Sequence, residues 1–117
     1  MALTQHLPIY KVAYDLLDAV TDAVRNMPRD FKRSLGERIS DECIDILVLT
    51  FRANSARNKE PHLCDLIERL QVIEPLLRLS RDKRLISTKQ YALCVNLTNS
   101  IGKQASGWRR AAASPAA

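Results

Sequence analysis

The sequence predicts an all-α protein, an antiparallel up-down-up-down four-helix bundle. Three observations support this prediction. Apolar residues recur every three or four positions, no alternating strand pattern of useful length occurs, and helix-start signals divide the chain into four periodic segments. The 117 residues are enough for one domain with a single core. We expect the bundle to occupy residues 1–110 and the tail AAASPAA, residues 111–117, to be disordered.

Proline and a capping box mark the four helix starts. Pro8, Pro28 and Pro61 each open a periodic segment, and proline suits a first turn because the amide hydrogen that it lacks has no intrahelical acceptor there. The sequence Ser87-Thr88-Lys89-Gln90 fits a capping box, in which a hydroxyl and the Gln three residues later satisfy backbone amides. The predicted helices cover about residues 8–26, 29–57, 61–81 and 88–112.

Each predicted helix carries one apolar stripe, which identifies the expected core. The cysteines are odd in number and lie among apolar neighbours, so we expect three buried thiols in a reducing cytoplasm rather than disulfides. The stripe residues are Ile9, Val12, Leu16, Val20 and Val24; Phe31, Leu35, Ile39, Cys43, Ile46, Thr50 and Ala53; Leu63, Leu66, Leu70, Ile73 and Leu77; and Cys94, Leu97, Ile101, Ala105 and Trp108.

The motifs that carry enzyme chemistry are missing from the sequence. No Glu-x-x-His motif of a di-iron bundle occurs, nor a C-x-x-C, H-E-x-x-H or G-x-S-x-G motif. We therefore predict a protein that is not an enzyme and needs no cofactor or metal. No apolar run approaches the roughly 20 residues of a membrane-spanning helix, and no secretion signal precedes the first helix, so a cytoplasmic location is expected.

The positive charge is distributed unevenly along the chain. The net charge is +5, and residues 87–117 contain four basic side chains and no acidic one. This segment includes SIGKQASGWRR, residues 100–110, which holds the single tryptophan and two of the three glycines. Trp108 shares the apolar stripe, so we expect it to anchor the core or an interface. Gly102 and Gly107 weaken a helix, which indicates close approach of a neighbouring helix or another subunit, or else local fraying.

Basic residues gather in one ridge and two clusters. Lys89, Asn96, Lys103 and Arg110 are seven residues apart and lie opposite the apolar stripe of the fourth helix, where they form either a solvated face or an anion-binding face. An up-down-up-down topology brings the start of the second helix, the end of the third and Lys89 to one end of the bundle. The candidate nucleic-acid-binding residues are Arg29, Lys32, Arg33, Arg78, Arg81, Lys83, Arg84, Lys89, Lys103 and Arg110.

Several segments resemble one known family in order and spacing. They are PIYKVAYDLL, PRDFKRSLGERI, the RAN of residues 52–54, LLRLSRDKRLISTKQY and SIGKQASGW. Over about residues 7–110 the chain resembles the accessory variability determinant (Avd) proteins of diversity-generating retroelements. These proteins belong to a wider group of four-helix bundles that includes the intervening-sequence proteins of ribosomal RNA.

The resemblance implies a specific assembly and role. A member of this family is expected to form a homopentameric barrel with a basic surface, and to bind RNA, or DNA, together with the reverse transcriptase of the retroelement. It would thereby support the mutagenic copying of a template RNA into cDNA. Two alternatives remain open from the sequence: a protein–protein scaffold of the same fold, and a ribosomal RNA intervening-sequence protein without a retroelement role.

Overall fold

The computed structural model describes residues 3–113, and over this range it contains helices and connections but no strand. A 3₁₀ turn, Thr4–His6, leads into helix α1, Pro8–Arg25. Helix α2 is a continuous helical stretch of three parts, the α turn Arg29–Phe31, the π-helical segment Lys32–Gly36 and the α segment Glu37–Ser55. Helix α3 spans Glu60–Asp82 and helix α4 spans Thr88–Ala113.

The four helices form the predicted bundle, which measures 50 × 20 × 20 Å. Each helix packs against its neighbours along the chain, and α4 packs back against α1, so α2 and α4 occupy opposite corners. Two contacts show that α1 is antiparallel to α2 and that α3 is antiparallel to α4. Asn54 near the end of α2 donates a hydrogen bond to Thr4 at the start of the chain, and Arg109 near the end of α4 pairs with Glu60 at the start of α3.

The predicted helix starts are confirmed in detail. Pro8 is the first residue of α1 and Pro61 is the second residue of α3. A backbone amide in the first turn has no carbonyl acceptor within the helix, so the amide hydrogen that proline lacks costs no helical hydrogen bond. The capping box is formed reciprocally. The Ser87 amide donates to Gln90 Oε1 at 2.9 Å, and the Gln90 amide donates to Ser87 Oγ at 3.0 Å.

The core follows the predicted stripes except at a few positions. All five stripe residues of α3 are buried, but Val12, Val24, Leu35, Leu97 and Trp108 are only half-buried at the margins of the core. Ala13 and Ala23 take the central positions of α1.

Phe31 is the one predicted stripe residue that the structure places at the surface, where 39% of it is exposed. The π-helical segment that follows it explains the error. A π turn contains more residues than an α turn, so it rotates the residues before it out of the angular register of the residues after it. Gly36 and Met27 fill the core at this level instead.

The fourth helix ends within one residue of its predicted end near residue 112. It continues to Ala113, three residues into the segment expected to be disordered. The remaining positions of that segment, 114–117, lie outside the described residues.

Glu42 is a charged residue within the bundle that the stripes do not explain. It is 3% exposed, and its carboxylate accepts hydrogen bonds from Arg38 on the same helix at 3.0 Å and from Arg69 on α3 at 3.3 Å. Arg38–Glu42 and Asp65–Arg69, two pairs of residues four apart, are therefore parts of one network, which joins α2 to α3.

Candidate nucleic-acid interface

The up-down topology brings eight of the ten candidate residues to one end of the bundle. That end is formed by the start of α2, the end of α3, the loop that follows it and the start of α4. We call these side chains the end cluster: Arg29, Lys32, Arg33, Arg78, Arg81, Lys83, Arg84 and Lys89. Five are arginine, whose planar guanidinium matches the geometry of phosphate oxygens.

The loop between α3 and α4 presents two members of the end cluster to solvent. The Lys83 amide donates to the Leu79 carbonyl and the Leu85 amide to the Ser80 carbonyl, so the end of α3 is closed by backbone bonds. Arg84 between them has a φ of 61°, and it is the only non-glycine residue of the described chain with a positive φ. Glycine is the usual residue in this conformation because a Cβ is crowded there.

Arg84→Gly is therefore expected to raise the free energy of unfolding by about 0.5–1 kcal/mol, because it removes a strained left-handed residue. The same change removes an exposed positive charge, so affinity for a polyanion should fall. Urea denaturation and RNA binding can be measured on the same sample. Arg84→Lys is the matched control, since it keeps both the charge and the strain and should change neither quantity appreciably.

Seven of the eight side chains in the end cluster form no ion pair with any described residue. Arg81 is the exception, since it contacts Asp82 at 2.8 Å and stacks on the Tyr91 ring at 4.4 Å. Its bond to Asp82 raises the pKa of the guanidinium. Arg78 is exposed and does not pair with Glu74, although the two residues are four apart on α3. A concentration of unpaired cations at one end of a molecule is an electrostatic footprint for an anionic partner.

The predicted ridge on α4 is also exposed to solvent. Lys89, Asn96, Lys103 and Arg110 all lie on the outer face of the helix, opposite its buried stripe. The ridge runs the length of α4, so Lys103 lies near the middle of the bundle and Arg110 at the end opposite the end cluster. The structure therefore separates the ten candidates into one group of eight and two residues elsewhere.

Arg110 belongs to a second basic region that the sequence did not bring together. It lines a concave surface of about 680 Å³ with Arg57, Lys59 and Arg109. Two of these cations have structural partners. Lys59 Nζ donates to the carbonyls of Ala53, Asn54 and Ala56 and so caps the end of α2, and Arg109 pairs with Glu60 at 2.8 Å. This region thus has fewer free charges than the end cluster.

Among the described residues, no atom lies unusually close to the glycines of α4. A Cβ at Gly102 would meet only Leu70 at 3.8 Å, and one at Gly107 would meet only Arg110 at 3.8 Å, which are ordinary contacts. Close approach of a neighbouring helix in the same chain therefore does not explain these glycines.

Trp108 was expected to anchor either the core or an interface, and the structure places it against the core. The ring packs on the core residues, and Lys59 Nζ lies 5.8 Å from its centre.

Sequence reasoning missed an apolar row on the outer face of α2. Ile44, Val48 and Phe51 are 45%, 36% and 54% exposed, and at 100° per residue they point away from the bundle axis. Their spacing of four and three residues is itself a helical signal. The stronger stripe on the opposite face of the helix obscured it.

Comparison with known proteins identifies the family. A family model described as bAvd-like, that is, accessory variability determinant-like, matches residues 5–112. The chain belongs to the bAvd-like family. This match confirms the resemblance drawn from the sequence motifs, and it supports an accessory role of the Avd type. No match to the chain was found among curated proteins or among solved structures.

The chemistry available in this bAvd-like chain is limited. Cys43 and Cys94 are buried as expected, and burial raises the pKa of both thiols, that of Cys94 to about 11. The expectation of burial is wrong for Cys64, which is half-buried and donates a hydrogen bond to Glu60 Oε1. That bond raises the pKa of the Cys64 thiol, so all three cysteines are protonated at neutral pH.

A metal ion and a membrane are two other partners that a helical protein of the bAvd-like family could have. Among residues 3–113, no three His, Cys, Asp or Glu side chains are grouped in a way that could hold a metal ion. Over the same range, no helix combines the length and the apolar character needed to cross a membrane.

Proposed function

We propose that this bAvd-like protein is a non-enzymatic accessory protein of a diversity-generating retroelement, which binds RNA and the reverse transcriptase and supports mutagenic cDNA synthesis. Family membership supports the accessory role, and the end cluster supports a polyanionic partner. The single observation that carries the RNA proposal is the cluster of seven unpaired cations at one end of the bundle. Assembly into a homopentamer is part of the proposal and would present this cluster five times on one particle.

The charge distribution indicates how the protein would bind RNA. The basic end attracts RNA through its phosphates, and phosphate contacts position a nucleic acid without reading its sequence. Selection of a particular RNA would then come from its shape or from the reverse transcriptase. The protein contributes a rigid surface and no chemical step.

A protein–protein scaffold is the second candidate function, and one observation favours it. The exposed apolar row on α2 is suited to a protein contact, because large apolar side chains in a row indicate an interaction surface. A scaffold without an RNA role predicts tight binding to a protein partner and no affinity for RNA at moderate salt.

RNA binding should depend steeply on salt if the end cluster contacts phosphates. Fluorescence anisotropy of a labelled RNA hairpin, titrated with the protein across a KCl series, should give a linear fall of log K with log salt. Each phosphate contacted contributes a slope of roughly −0.7 to −0.9, so four or more contacts should give a slope of about −3 or steeper. An affinity that does not change across the series would contradict the proposal.

A further inference from the structure

The outer face of α2 carries acidic residues beside its apolar row. Glu37, Asp41 and Asp45 are spaced by four, all are exposed, and none forms an ion pair with a described residue. At 100° per residue they share the outward side of the helix with Ile44, Val48 and Phe51. Together these six residues form what we call the α2 face, and the exposed Arg52 lies on the same side near its end, so this side of α2 carries three acidic side chains and one basic side chain in its α segment.

The outer face of α4 has the opposite character. It presents Lys103 and Arg110, and α4 contains no acidic residue. Gly107 lies beside them with no neighbouring helix near it, so the backbone is open to close approach from outside. Because α2 and α4 occupy opposite corners of the bundle, the acidic and basic faces point in opposite directions.

The two faces also match in height along the bundle. Arg69 of α3 contacts Glu42 of α2, and the adjacent Leu70 lies against Gly102 of α4, so Glu42 and Gly102 are level. Since α2 and α4 run in the same direction at about 1.5 Å per residue, residues that follow these two by equal steps remain level. Lys103 is then level with Cys43, midway between Asp41 and Asp45.

The same register extends towards the ends of both helices. Gly107 is level with Leu47, one residue before Val48, and Arg110 is level with Thr50, one residue before Phe51, so each lies within about 1.5 Å of the height of that apolar side chain. Three kinds of favourable contact would arise between copies placed side by side. They are an ion pair of Lys103 with the two aspartates, an apolar side chain over a bare backbone, and a guanidinium over an aromatic ring.

We propose that a second copy of this chain docks its α4 on the α2 face, with the two bundles side by side and parallel. The contact is heterologous, since different surfaces meet, and its repetition closes into a ring when the rotation between copies permits. This inference deepens the self-assembly in the proposed function by naming the surfaces that meet. It also assigns Lys103 and Arg110 to the subunit contact and leaves RNA to the end cluster.

Charge reversal on each face tests the docking. Asp41→Lys with Asp45→Lys should convert the assembly into single chains of 13.2 kDa, because like charges then face each other. Lys103→Glu with Arg110→Glu should do the same. The fourfold variant that combines both pairs restores opposite charges at unchanged net charge, so it should reassemble. Sedimentation velocity at one protein concentration measures all four species.

Several results would overturn the docking. They are a wild-type protein that sediments as a single chain at about 100 µM, reversed variants that keep the wild-type mass, or a fourfold variant that stays monomeric. Circular dichroism checks folding, which should be unaffected because these four side chains are exposed. Gly107→Leu is an independent variant that should also block docking, since it fills the space opposite Val48 without touching the core.

RNA binding to the end cluster distinguishes failure of this inference from failure of the proposed function. A wild-type monomer that still binds RNA with a steep salt dependence overturns the docking alone. An assembly that follows the charge pattern but binds no RNA overturns the RNA role alone. Monomeric Lys103→Glu/Arg110→Glu protein should retain salt-dependent RNA binding through its end cluster. Its affinity should fall only because a single chain presents one end cluster to the RNA, whereas the assembly presents several.

Discussion

Glu42→Ala is expected to lower the free energy of unfolding by about 3 kcal/mol, in the range for breaking a buried ion pair. The Glu42 carboxylate is 3% exposed and is shared by Arg38 and Arg69, so its removal leaves the Arg69 guanidinium on α3 without its partner on α2. The cavity left by the lost side chain adds to the effect. Urea denaturation followed by circular dichroism measures the change.

Asp65→Ala is the matched control for this network. Asp65 contacts the same Arg69 at 3.5 Å but is exposed to solvent. An exposed pair contributes about 0–1 kcal/mol, so the control should be nearly as stable as wild type. Equal losses for the two variants would show that Glu42 does not act as the buried bridge between α2 and α3.

Gly36→Ala is expected to lower the free energy of unfolding by about 1–2 kcal/mol, although alanine has the better helix propensity. An added Cβ would lie 2.7 Å from Val24 Cγ1 and 3.3 Å from Met27 Sδ. Val24 is β-branched and has little rotamer freedom in α1, so the end of α1 must move away from α2. Thermal and urea denaturation both measure the loss.

Gly102→Ala provides a comparison of opposite sign. The nearest atom to its added Cβ would be Leu70 Cδ1 at 3.8 Å, so nothing must move. The gain in helix propensity, up to about 1 kcal/mol, should then appear as increased stability. If both glycine variants change stability in the same direction, the close contact at Gly36 does not control the packing of α1 on α2.

The helices could be predicted from the sequence because local signals agree with the tertiary structure over most of the chain. The α3 stripe from Leu63 to Leu77 is buried throughout, and the capping box at Ser87 forms as its spacing indicates. The convergence of the basic clusters followed from topology, since short connections between long helices leave few arrangements.

The missed features depend on contacts between helices or on irregular backbone. No sequence pattern distinguishes the π-helical segment at Lys32–Gly36 from an α turn, so the exposure of Phe31 could not be foreseen. In the sequence, Glu42 looks like the acidic member of a surface ion pair with Arg38. Only the packing of α3 on α2 shows that Arg69 also donates a hydrogen bond to its carboxylate. The α2 face could not be identified from the sequence, because only the structure shows which acidic side chains form no ion pair with a described residue.

Reversal of two charges in the end cluster tests the central claim most directly. Arg29→Glu with Arg33→Glu removes two unpaired arginines at the start of α2, where an acidic residue in the first turn favours the helix. Lys11→Glu with Arg57→Glu makes the same change in net charge at the opposite end of the bundle. RNA affinity at about 0.1 M KCl should fall at least tenfold for the first variant and less than about threefold for the second. Equal losses for the two variants, or none for the first, would contradict the assignment of the end cluster as the RNA-binding surface.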